Sequence, residues 1–240
     1  MNITEKGVEL YYDFHIHSCL SPCGSDEMTP QMIVDCALAK ELDCIALTDH
    51  NISGNCLTAI RYAEGKDLIV FAGMELQTAE EIHVICIFPA IDNALNFEAY
   101  VKAALPTIKN DIRYFGNQTC IRPDGTTYEE EQMLSVSSDI PLYGLYPLVS
   151  SYGGLAIPAH IDRTSFSIGS VLGVLDKDMG FPLVEVWKDP TLADKAGIPY
   201  IQSSDAHNID AFFEREYHSF IAREKSPDGI FDALKNLSAN

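Results

Sequence analysis

Short, unbroken apolar runs alternate along this chain with longer amphipathic stretches, and that alternation limits the fold more than any other feature. Strands covered on both faces read as continuous apolar runs, and the stretches between them have the length of crossover helices. The strand candidates are residues 10–15, 43–48, 68–72, 82–88, 155–158, 183–186, 200–203 and 217–222. Helices are expected over 30–41, 54–65, 93–109, 141–152 and 227–237. Thr29 is placed to cap the first of these, with Pro30 in its first turn, and the Gly153-Gly154 pair stops the fourth. The pattern predicts an α/β chain, a barrel of parallel strands. A single domain over 1–240 is expected, because α/β barrels of about 200–250 residues are commonly one unit. Residues 110–140 fit worst. They hold Gly116, Pro123, Gly125 and the acidic run 129–131, and read as an excursion over one mouth of the barrel, either a plain surface insertion or a lid.

Within that frame the histidines carry the chemistry. Of seven, six fall at strand ends. His15 and His17 end the first strand, His50 the second and His160 the fifth, and His207 follows a late strand together with Asp205. Glu75 follows the third strand, and His83 opens the fourth. His218 reads as an ordinary polar residue. In a barrel of parallel strands the C-terminal ends share one face, where active sites form. Residues i and i+2 of a strand point the same way, so His15 with His17, and Asp205 with His207, can each serve one ion. Imidazole nitrogen and carboxylate oxygen bind zinc-like ions at about 2.0–2.2 Å. So many donors exceed one ion's needs, and a carboxylate such as Glu75 can bridge two. Paired ions suit phosphate-ester hydrolysis, because they activate water and hold both attacking and leaving oxygens.

Charge narrows the partners. Sixteen Lys and Arg against 35 Asp and Glu leave a formal net charge of −19. Long nucleic acid is therefore an unexpected partner, and anion binding must depend on the metals. No apolar run reaches the roughly 20 residues of a membrane span, so no membrane is expected. The opening MNITEKGVELYYDF has neither a basic n-region nor an apolar h-region, and seven cysteines make an odd set, so a cytoplasmic protein with reduced thiols is expected. No Walker, Rossmann or Gly-x-Ser-x-Gly pattern is present. Arg163 and Lys188 are the cations best placed for a substrate phosphate, and Asp13 and Asp49 adjoin the histidines as candidate acceptors fixing imidazole tautomers, Asp49 also as a direct metal contact.

The ordered set resembles the PHP (polymerase and histidinol phosphatase) superfamily. Its parts are Asp13-Phe14-His15-Ile16-His17-Ser18, Thr48-Asp49-His50, Glu75, His83, Ala159-His160 and Ser204-Asp205-Ala206-His207, which span nearly the whole chain. The resemblance implies a distorted (β/α)7 barrel of PHP type with a trinuclear metal centre and phosphoesterase chemistry. It implies one ion on His15, His17, Glu75 and Asp205, and a second sharing Glu75 with His83 and His160. The third would take His50, His207 and a residue shortly after the His-x-His-Ser segment. Many members have histidine there; this chain has Cys23, whose softer thiolate favours zinc or iron.

The expected function is a metal-dependent phosphoesterase acting on a small phosphomonoester, such as histidinol phosphate or a nucleoside bisphosphate. Two or three divalent ions (Zn, Fe or Mn) are expected, with attack by a metal-bound hydroxide. Glu75 would bridge, and Asp205 or His207 would protonate the leaving oxygen. Two alternatives stand. An amidohydrolase-type enzyme would bridge its ions with a carboxylated lysine, and no lysine ends a mid-chain strand apart from Lys188. A non-catalytic, metal-stabilised interaction domain would bind ions without turnover. Oligomeric state is not legible in the sequence.

Overall fold

The computed structural model describes residues 7–237. The strands are β1 (Val8–Ile16), β2 (Cys44–Leu47), β3 (Ile69–Gln77), β4 (His83–Phe88), β5 (Thr119–Ile121), β6 (Thr127–Glu129), β7 (Leu155–Pro158), β8 (Val184–Glu185), β9 (Tyr200–Ile201) and β10 (His218–Ala222). Six of them form one sheet in the order β10-β1-β2-β3-β4-β7. The short parallel pair β8–β9 and the loop that follows it link β7, at one edge of this sheet, to β1, next to the other edge. Ile161 N, just past β7, donates to Glu185 O at 2.9 Å, and His17 N, just past β1, donates to Ala206 O at 3.0 Å. The sheet is therefore curled into a partial barrel.

The expectation of uniformly parallel strands is corrected in two places. β1, β2 and β3 are parallel, but β4 runs antiparallel to both β3 and β7, and β10 runs antiparallel to β1. Only five residues separate Gln77 from His83, and a parallel crossover needs a dozen or more. The short connection forces a hairpin, with Gln77 opposite His83. That reversal places the start of β4 beside the end of β3.

Helices occupy the expected segments but are shorter: Pro30–Ala39, Cys56–Ala63, Ile91–Ala104, Leu145–Ser151 and Pro227–Lys235. Thr29 caps the first by accepting from Met32 N at 3.2 Å. No helix among the described residues is long and apolar enough to cross a membrane.

Alternation sorts the strand residues into two layers. Ile45, Leu47, Ala72, Met74, Val84, Cys86, Val184 and Val186 join helix residues such as Ile33, Val34 and Ala37 in an outer core. Phe14, Ala46, Phe71, Ile85, Ile157, Leu183 and Ile201 fill the inside of the curl. Counting two or four residues along the inner face reaches its upper rim: Phe71 leads to Glu75, Ile85 to His83, and Leu183 to Glu185. β1 needs a correction to follow this rule, because Phe14 is inward and His15 must be too. A register shift between Asp13 and Ile16 supplies it, sending Ile16 to the outer core. Phe14 is fully buried and touches Tyr12, Phe71 and Phe220, so it floors the rim. Phe14→Ala is expected to cost about 3–5 kcal/mol in urea unfolding, as large aromatic truncations do.

Candidate metal centre

The rim brings six of the seven histidines together. Glu75 is the hub: its two oxygens lie 3.2 Å from His15 Nε2, 3.3 Å from His17 Nε2, 3.0 Å from His50 Nδ1, 2.8 Å from His83 Nδ1 and 3.2 Å from His160 Nε2. Asp205 Oδ1 lies 3.3 Å from His15 Nε2 and 3.2 Å from His17 Nε2. His207 stacks on His17 with ring centroids 4.1 Å apart. Cys23 is exposed, yet its sulfur joins His17, His50 and His207 in a group whose donor atoms all lie within 4.8 Å of one another. His15, His17 and Asp205 form a second such group, and His50, Glu75 and His83 a third.

Three backbone distortions aim these side chains. Asn51, His160 and Asp205 have φ of 56°, 30° and 49°, in the left-handed region that non-glycine residues rarely enter. Each sits at or next to a group of the cage. His160 is one residue past inward-facing Ala159, so plain alternation would turn it outward, and the left-handed turn brings it back.

Hydrogen bonds at the outer nitrogens fix which way the inner ones face. His15 Nδ1 lies 2.9 Å from Glu185 Oε2 and donates to it. Ser21 Oγ gives its proton to Asp49 Oδ1 at 2.6 Å, so it must accept from His17 Nδ1 at 2.9 Å. His207 Nδ1 donates to the Asp205 carbonyl at 2.9 Å. All three Nε2 atoms are thereby left as inward lone pairs in the neutral rings. His15 Nε2 and His17 Nε2 face each other at 3.2 Å. Asp205 Oδ1, His50 Nδ1 and His160 Nδ1 are buried without a hydrogen-bond partner. Imidazole and carboxylate donors converging in this way fit divalent cations.

Titration behaviour agrees. Burial opposes a charged His15, but Asp205, Glu185 and Glu75 overcome it and hold the imidazolium well above its ordinary range. The same balance raises His17 and His50 to about 9. Burial likewise opposes ionisation of Glu75 and Asp205, and the neighbouring imidazoles hold both well below the carboxylate range. Burial and the adjacent His17 drive His207 down to about 3, so its ring is neutral. The cage is organised to hold positive charge, which protons or metal ions can supply.

A cavity of about 90 Å³ opens among these groups, lined by His50, Glu75, His83, His160, Arg163, Ser165, Phe166, Asp205 and His207. Arg163 NH1 lies 2.6 Å from Asp205 Oδ2. Lys188 is not brought there: it is exposed, with Nζ 5.9 Å from the Trp187 ring centre. A larger cavity of about 630 Å³ lies between β9, β10 and the helix Pro227–Lys235, but no histidine or cysteine lines it.

Asp13 is also placed elsewhere than expected. Its Oδ1 accepts from Ser204 N at 3.0 Å and His15 N at 3.3 Å, clamping β1 to the Asp205 loop and touching no imidazole ring. Burial pushes its carboxyl up to about 6. Asp49 makes no direct approach to the cavity; it reaches His17 through Ser21 and also accepts from Ser18 N at 2.7 Å and Ser18 Oγ at 2.6 Å. Sequence reasoning missed Glu185, which accepts from both His15 Nδ1 and His160 N at 2.9 Å. Its signal was a carboxylate between two valines in a buried run.

The excursion is a buttress beside the mouth. Cys120 and Leu134 pack with Leu20 and Ile52, and Thr119 N donates to Cys19 O at 2.9 Å. Gly116 has φ of 93°, and a Cβ there would stand 2.4 Å from Pro22 O, beside Cys23. No residue of 110–140 lines the 90 Å³ cavity.

No protein-family model matches the sequence, and no curated protein does. Solved structures do. The lesion-specific endonuclease Q from Pyrococcus furiosus aligns with a TM-score of 0.70 at 20% identity, over 96% of this chain and 57% of that one. Endonuclease Q is also known in complex with a 27-mer duplex carrying an abasic lesion at the active site. A Bacteroides vulgatus two-domain protein containing a predicted PHP-like metal-dependent phosphoesterase gives 0.61 at 19%, over 98% and 65%. An amidohydrolase from Chromobacterium violaceum with bound sulfate and no metal gives 0.58 at 19%, over 95% and 98%. This chain spans little more than half the length of the endonuclease. Its fold is that of the PHP-like metal-dependent phosphoesterases.

The clamping carboxylates predict a stability effect separate from any metal. Asp13→Ala leaves the buried N–H groups of Ser204 and His15 unpaired and is expected to cost about 2 kcal/mol in urea denaturation of the metal-free protein, whereas Asp13→Asn, which keeps the acceptor, should cost less.

Proposed function

We propose that the protein is a metal-dependent phosphoesterase that hydrolyses a small phosphomonoester. The observation carrying this reading is Glu75, one buried carboxylate facing five imidazoles. Two oxygens cannot accept good hydrogen bonds from five rings, but they can bridge cations that the rings also hold. In this reading His15, His17, Glu75 and Asp205 hold one ion, Glu75, His83 and His160 a second, and Cys23, His50 and His207 a third, on a distorted (β/α)7 frame in a cytoplasmic protein. Zinc, iron or manganese suits these donors, with Cys23 favouring the first two. Ions bound there would supply Lewis acidity toward phosphoryl oxygens and lower the pKa of a bound water.

The chain's own groups do the rest. Arg163, which lines the cavity, would pair with phosphate oxygens through its planar fork. His207 is neutral, and Asp205 orients it through its backbone carbonyl, so Nε2 is its one lone pair, able to hold the third ion or, where that ion is absent, to accept a proton. Ser165 and Phe166 narrow the entrance, with Phe166 stacked on His83 at a centroid distance of 4.8 Å. The small volume suits a single phosphoryl group, with the remainder of the substrate outside.

The amidohydrolase among the structural neighbours favours a second reading. Against it, Glu75 stands where the bridge would lie, and no lysine among the described residues lines the cavity. The experiment is a screen of phosphorylated metabolites, an abasic-site duplex and cyclic amides or lactones, each with Zn²⁺, Fe²⁺ and Mn²⁺. Phosphate release from small monoesters is expected. Ring opening without phosphate release would replace this reading with the second, and cleavage of the duplex alone would refute the small-substrate assignment.

Two variants test the ligand sets. Cys23→Ala should lower bound metal by about one ion per chain in elemental analysis, and an undiminished content would remove Cys23 from the centre. Glu185→Ala should weaken metal affinity about 10–100-fold against a competing chelator, as loss of a group orienting a metal-bound imidazole does.

A further inference from the structure

The chain's single tryptophan, Trp187, follows β8 two residues after Glu185. Arg163 Cζ lies 4.0 Å from its ring centre and Arg215 Cζ 3.9 Å. At those distances two guanidiniums cannot share one face of the ring without overlapping, so the indole is held between them. The backbone pins the ring in place. Trp187 N donates to Asp162 Oδ1 at 2.6 Å, and Trp187 O accepts from Arg215 NH2 and from Gln202 Nε2. Arg215 is braced in turn, because its carbonyl accepts from Lys40 Nζ at 2.6 Å. At the other end of the stack, Arg163 reaches Asp205 and is the only arginine or lysine among the described residues that lines the 90 Å³ cavity.

An unrestrained arginine spends much of its side-chain entropy when it binds an anion. Arg163 has little left to spend. Its plane is set by the indole on one side and one of its N–H groups by Asp205, so the remaining donors are aimed before any ligand arrives. In a chain of net charge −19 this stack concentrates permanent positive charge beside the cavity.

We propose that Trp187, backed by Arg215, is a positioning residue that sets the Arg163 fork for the anionic group of the substrate. The proposal rests on the phosphoesterase reading for its substrate, but not for its readout. The lone tryptophan is its own reporter, and inorganic phosphate serves as the probe on the metal-loaded protein. A saturable change in Trp187 fluorescence is expected. Arg215→Ala should weaken phosphate about tenfold by both fluorescence and calorimetry. Trp187→Leu, followed by calorimetry, should do the same, and Trp187→Phe should recover most of the loss. On any phosphomonoester turned over, the same variants should raise KM about tenfold while kcat moves less than about threefold. Unchanged phosphate affinity in Arg215→Ala and Trp187→Leu, each with native circular dichroism, would overturn the proposal. So would an equal fall in kcat at constant KM. Phosphate binding that follows the expected order in a protein that hydrolyses no phosphoester would uphold the stack as an anion site and defeat only the phosphoesterase reading.

Discussion

The structure depends on how a buried carboxylate can face five imidazoles without flying apart. Glu75 is 1% exposed, and so is cut off from the water that would otherwise stabilise its charge. Its stability comes from positive charge placed around it, and the upward shifts of His15, His17 and His50 are the other side of that exchange. The inner core beneath, from Phe14 to Ile201, keeps the dielectric low, so each of these interactions is stronger than it would be at a surface. The same dry floor that strengthens them makes any uncompensated charge costly. A centre of this kind either holds cations or takes up protons.

Local backbone irregularity converts a regular sheet into that cage. Alternation alone delivers Glu75, His83 and Glu185 to the rim, because each lies an even number of residues from an inner core residue. His15, His160 and Asp205 are delivered by exceptions: the shifted register of β1, and left-handed φ at the other two. Such conformations cost of order 1–3 kcal/mol each and persist where the surroundings fix them. Here the surroundings are visible. Glu185 accepts from His160 N, and Asp13 accepts from Ser204 N immediately before Asp205. Buried acceptors that touch no cavity thus hold the strained residues in place.

This division explains what was legible in the sequence. The i, i+2 spacings of His15 with His17 and of Asp205 with His207 could be read directly, since spacing along a strand is encoded locally. His83 looked misplaced at a strand start only because all strands were taken as parallel; the short Gln77–His83 connection already required a reversal. Lys188 and Arg163 could not be separated by sequence, as both follow strand ends, and only packing on Trp187 turns one toward the cavity and leaves the other in solvent. Glu185, which carried no expectation, takes the place expected of Asp13 for a similar reason. Which of two buried carboxylates meets His15 Nδ1 depends on the placement of β8 against β1, a contact spanning 170 residues of chain.

Charge ties the centre to the rest of the molecule. With 35 acidic residues against 16 basic ones, the surface repels anions at long range, and Glu75 and Asp205 add carboxylates at the cavity itself. Divalent ions held there would reverse the sign locally, over distances comparable with the Debye length of about 8 Å at physiological salt. An anion would therefore be drawn in only at close range, where such ions and the Arg163 fork would act together. Specificity then rests on short-range geometry instead of long-range steering, which suits a cavity too small to enclose more than the group on which the chemistry occurs.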